Sequence, residues 1–117
     1  MVEVRLKAVA LMNAEEFTTL IIEGYYEVIK ELLTALLAAE GYKTLSHTTL
    51  IDFLRSNHKN EFTELEIITI DELRKLRNRI TYEGFMVKKD FLQRKATGIS
   101  AIITKLKETI NQHLTKK

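Results

Sequence analysis

Leu73-Arg74-Lys75-Leu76-Arg77-Asn78-Arg79-Ile80-Thr81-Tyr82-Glu83-Gly84 reads as the closing turns of an amphipathic helix, ended by a glycine. Leu73, Leu76 and Ile80 recur at three- and four-residue steps and form one apolar stripe. Each residue turns a helix by about 100°, so Arg74, Asn78 and Tyr82 align on a second stripe far from the first. Arg77 falls on the border between the two. A helix that only buries one face gains little from a tyrosine and arginines elsewhere. That second face has the chemistry for a partner: a phosphate, a base or another subunit.

Working outward, Thr63 and Glu66 have the spacing of a capping box, so the helix is expected to run from there to Tyr82. Ile67, Ile68 and Ile70 are β-branched, yet residues 65–73 show no sustained alternation and nothing nearby can pair with them as a strand. Downstream, residues 88–114 form a last helix with Phe91, Leu92, Ile99, Ile102, Ile103, Leu106 and Ile110 inward. Gly98 and Ser100 in its middle either admit a close helix contact or loosen it. Upstream, residues 4–22 read as helix one, with Val9, Leu11, Met12, Phe17, Leu20 and Ile21 as apolar positions. Glu23-Gly24 is the expected break, although one interior glycine costs a helix only about 1 kcal/mol. Residues 25–40 make helix two. Val28, Ile29, Leu32, Leu33, Leu36 and Leu37 cover a wide arc of it, which predicts a central position among several neighbours. Gly41 suits a left-handed cap. Ser46 starts a short helix, and 55–60 is a polar loop. The sum is an all-α fold, an up-and-down bundle of four long helices and one short one, in a single domain over residues 1–117.

Composition agrees with this. The 117 residues contain no proline, so long helices run uninterrupted. They also contain no cysteine, which excludes disulfides, thiolate nucleophiles and cysteine metal sites. Residues 1–5 carry mixed charge and no long apolar run, so no signal peptide is read there, and residues 32–39 are too short to span a bilayer. A cytoplasmic protein with no membrane partner is expected. The net charge of +2 is unevenly placed: residues 88–117 carry eight Lys/Arg against Asp90 and Glu108, leaving a net of −4 on the rest. The last helix is then either an electrostatic footprint for nucleic acid or an acidic partner, or a solvated face whose lysines suit the helix dipole.

The motif also resembles a known family. Arg77-Asn78 followed by a ring-bearing residue at Tyr82 resembles the RxxxxH motif of HEPN domains. The resemblance extends to Glu23-Gly24-Tyr25-Tyr26 with the apolar helix after it, and to residues 41–54, so that it covers the chain from about residue 15 onward. It implies a small all-α fold, a homodimer, and action on RNA or nucleotides. Many family members are metal-independent endoribonucleases of toxin–antitoxin type, paired with a nucleotidyltransferase. Arg77 and Asn78 match the motif; Tyr82 stands where the family has histidine. The resemblance thus implies a catalytic set of Arg77, Asn78 and Tyr82 and no cofactor, and the run of four basic residues within positions 74–79 together with the basic last helix adds expected phosphate contacts from Arg74, Arg79, Lys88 and Lys89.

The chemistry asked of these residues is transesterification, in which a ribose 2′-hydroxyl attacks the adjacent phosphate. A base takes the proton and a cation stabilises the phosphorane. Arg77 offers a bidentate fork for that charge, and Asn78 can orient a phosphate or Arg77 itself. A free tyrosine has a pKa near 10, a poor base at neutral pH, and His47 is an alternative base if the fold brings it beside the motif. Arg77 can equally be an arginine lying along the core beside a hydrogen-bonded asparagine, and Tyr82 an aromatic at a dimer seam. The three histidines are too scattered for a metal site. Glu23, Glu27 and Glu31 repeat every four residues, either as a carboxylate site or as an acidic stripe facing solvent. Three functions remain open: a ribonuclease with full, weakened or lost activity; a non-catalytic module that binds RNA or docks a nucleotidyltransferase; and a plain assembly dimer.

Overall fold

The computed structural model describes residues 2–11, 17–41 and 47–115, which form α1 (Val2–Leu11), α2 (Thr18–Ala39), α3 (His47–Asn57), α4 (Glu64–Glu83) and α5 (Lys89–Thr115). There is no strand among the described residues. The isoleucine-rich start of α4 is helical because Ile67, Ile70 and Leu73 fall on one buried face at three-residue steps. Its start is fixed by the capping box. Thr63 Oγ1 accepts from the Glu66 N–H at 3.1 Å, and Glu66 Oε1 accepts from the Thr63 N–H at 2.9 Å. Its end is fixed by Gly84, left-handed at φ 68°, a conformation that costs glycine little.

The central helix is α2. It packs against all four others, most extensively against α5. Ile22, Val28, Ile29 and Leu36 on α2 are fully buried, and share one cluster with Ile99, Ile102 and Leu106 of α5 and Ile70 and Leu73 of α4. Each such side chain contributes about 1.5–3 kcal/mol of transfer free energy, whereas an exposed ion pair contributes about 0–1 kcal/mol. The core therefore sets how the helices pack, and the surface charges follow it. With 27 residues, α5 is about 40 Å long at 1.5 Å per residue and so runs nearly the 44 Å length of the molecule.

Helix one is shorter than its periodicity predicts. It ends at Leu11, and the next helix begins at Thr18 and continues through Gly24 without a break. The long helices are thus three, α2, α4 and α5, with two short ones. The periodicity misleads because apolar positions on either side of residues 12–16 belong to two helices with separate phases. Val9 and Ile21 are buried as expected, but Leu11 is 88% exposed, and Phe17 and Leu20 are exposed too. Met12 lies outside the described residues. Gly24 marks a crossing instead of a break: a Cβ there would sit 2.7 Å from Val9 Cγ2. Gly98, by contrast, has nothing within 4 Å of where its Cβ would be.

The expected polar loop at 55–60 is also different. α3 continues to Asn57, and His58 is buried. Its Nε2 lies 2.8 Å from Glu40 Oε1, its Nδ1 3.4 Å from Glu61 Oε2, and its ring packs near Phe53. His113 reaches the same end of α2, with Nε2 2.8 Å from the Ala39 carbonyl oxygen. Two histidines from distant segments thus meet at the C-terminus of the central helix, His58 on the Glu40 side chain and His113 on the Ala39 carbonyl. Gly41 follows with φ 86°. Ser46 and the His47 side chain lie outside what is described.

Candidate functional site

The second stripe of α4 emerges beside α2. Arg74 Nε donates to Asp71 Oδ1 at 2.8 Å, and Lys75 Nζ lies 3.3 Å from Asp71 Oδ2. Arg77 Nη2 crosses to α2 and lies 3.4 Å from Glu27 Oε1, while the other oxygen of Glu27 lies 2.8 Å from Lys30 Nζ. Arg79 Nε is 3.9 Å from Glu83 Oε2, and its guanidinium sits 3.8 Å over the Phe85 ring. All four basic residues at 74–79 thus have carboxylates of their own chain close by.

These carboxylates are held as anions. Burial alone would raise the pKa of Glu27, but Lys30, Arg77 and Arg5 outweigh it and bring it below the ordinary value. At Asp71 the balance is the same, with Arg74 and Lys75 overcoming burial. Between them lies Tyr26, a buried side chain whose hydroxyl is pushed up to about 12 by burial, with Arg74 and Arg77 opposing. The interface of α2 and α4 is therefore a charged, half-buried seam.

Of the expected catalytic set, Arg77 lies in that seam with 27% of its side chain exposed, Asn78 beside it is half-buried, and Tyr82 is 79% exposed at the helix end. Tyr82 has no place in the core of its own chain. Arg74 is largely covered and Arg79 is open. The two lysines separate. Lys88 lines a cleft with Leu76, Phe85 and Phe91, whereas Lys89 lines a groove on the other side of α5 with Val9, Ile21 and Tyr25.

In the acidic repeat on α2, Glu27 and Glu31 are ion-paired within the chain. Glu31 accepts from Arg5 Nε at 3.0 Å and Glu27 pairs as above. Among the described residues, no group of three or more acids and histidines can hold a metal. Sequence reasoning missed that Glu27 is the counter-ion of Arg77, although the four-residue spacing had singled it out. It also missed the cleft, whose signal is a phenylalanine directly after the Gly84 cap and another at the start of α5. Compared with known proteins, the chain matches no family model, no curated protein and no solved structure.

Proposed function

We propose that this chain is a HEPN-like helical protein that binds RNA or a nucleotide at the C-terminal half of α4, as a homodimer, with weak or no cleavage of what it binds. Arg77 is the cation for the phosphate, Asn78 orients it, and Tyr82 lies at the seam between subunits. The observation that carries the reading is the grouping of Arg77, Asn78 and an outward Tyr82 at one helix end. Binding is favoured over catalysis because Arg77 has Glu27 as a competing anion and because a phenol exchanges protons poorly near neutral pH. A cytoplasmic setting fits this reading, and no helix among the described residues is long and apolar enough to cross a membrane.

A second reading, docking of a nucleotidyltransferase by a purely structural dimer, is favoured by the exposed Tyr82 and Met86, apolar surface of the kind that marks interfaces. The test is cleavage of a mixed-sequence RNA with chelator present. Wild type is expected to cleave weakly or not at all, and Tyr82→His to cleave faster, with the gain lost in Arg77→Ala. Robust wild-type cleavage lost in Tyr82→Phe would make the tyrosine catalytic. No cleavage by any variant, together with no RNA binding, would favour the docking module.

A further inference from the structure

The cleft between the end of α4 and the start of α5 measures about 310 Å³, at the lower end of small-ligand sites. Leu76, Phe85, Val87 and Phe91 make it apolar, and Lys88 and Arg94 stand at its rim. The Arg94 guanidinium lies 5.9 Å from the Phe91 centroid, and Arg79 covers Phe85 at 3.8 Å. The wall is fixed in place. Val87 is buried, and its N–H donates to Thr19 Oγ1 of α2 at 2.9 Å. Asp90 also lines the cleft; it stands in the first turn of α5, where the helix dipole suits a carboxylate, and the two lining cations, Lys88 and Arg94, outnumber it.

The charges distinguish this cleft from the motif beside it. Arg74, Lys75, Arg77 and Arg79 each have a carboxylate of their own chain within 4.0 Å. Among the described residues, Lys88 and Arg94 have none. They can neutralise a phosphate without first giving up an internal pair. Aromatic rings beside unpaired cations make the surface on which single-stranded nucleic acids stack their bases.

We propose that this cleft is a single-strand RNA subsite: one unpaired base stacks on Phe91 against the Phe85 wall, and the flanking phosphates contact Lys88 and Arg94. The proposal rests on the RNA-binding reading above and extends it to the form of RNA taken. A base within a duplex is stacked on both faces and cannot enter.

The test is fluorescence anisotropy at low salt with three probes: a short labelled oligoadenylate, the same strand paired with oligouridylate, and an abasic ribose-phosphate strand. Wild type is expected to prefer the unpaired strand to both others. Phe91→Leu, which keeps apolar volume, should weaken oligoadenylate binding about tenfold and leave the abasic strand unaffected. Arg94→Gln, an exposed change that leaves the core intact, should lower the salt slope by about one. Equal binding of all three probes by wild type would overturn the proposal. So would unchanged binding in both variants, or a cleft that takes up an acidic peptide while RNA is ignored. Binding lost in Arg77→Ala but untouched in Phe91→Leu and Arg94→Gln would remove this subsite and leave the function standing. No binding of any probe would remove both.

Discussion

Gly24 shows how a single residue sets the packing of two helices. In an exposed helix, replacing glycine by alanine stabilises by about 1 kcal/mol. Here the added methyl would lie 2.7 Å from Val9 Cγ2, and a valine has little rotamer freedom with which to move aside. Gly24→Ala is therefore expected to destabilise by about 1–3 kcal/mol, as overpacked core positions do. Chemical denaturation checks it, and Val9→Ala in the same chain should restore most of the loss. A stabilised Gly24→Ala protein would mean that α1 does not cross α2 there. The sequence could show that Gly24 was unusual but not why, because its neighbour comes from another helix. Arg77 is similar: its border position on α4 was legible, but its partner Glu27 lies 50 positions away in the chain. Leu11 failed for the opposite reason, since local periodicity placed it inward and no helix among the described residues covers it.

At the scale of elements, the ends of α4 were the most legible features. Capping is local chemistry, settled within four residues, and Thr63, Glu66 and Gly84 all behave as their types predict. Thr63→Ala should cost about 1 kcal/mol. Glu66 adds a pH dependence. Burial alone would raise its pKa, but Lys105 and Thr63 outweigh burial and hold it below 4.5. A carboxyl lowered on folding contributes stability that is complete above its unfolded value and is lost as pH falls through its folded value. Below about pH 4.5 the protein should therefore lose stability, and Glu66→Gln should lose less of it than wild type over the same acid range. Parallel acid titrations followed by circular dichroism check this; identical curves would mean that the Lys105 contact at 2.7 Å carries no weight. Element length was less legible than element ends. The sequence joined into one helix what the structure describes as α1 (Val2–Leu11) and the start of α2 at Thr18.

At the scale of the molecule, α2 was readable as central from its apolar arc, whereas the α4–α5 cleft depends on how two helix ends meet, so Phe85 and Phe91 mark its walls in the sequence without showing that they face each other. The proposed homodimer belongs to this scale. Tyr82 and Met86 are exposed at and just past the C-terminal end of α4, and a two-fold pairing there would cover the same residues on both subunits. Light scattering should give twice the 13.6 kDa chain mass, and Tyr82→Glu should halve it. A monomer at high concentration would remove the dimer from the account. The central claim is that the end of α4 binds a phosphate through Arg77. The most direct measurement is a titration of RNA at increasing salt with wild type, Arg77→Ala and Glu27→Gln. Binding should fall as salt rises, weaken about tenfold in Arg77→Ala, and strengthen in Glu27→Gln, which frees the guanidinium. Absence of binding at low salt, or affinity unchanged in Arg77→Ala, would contradict it.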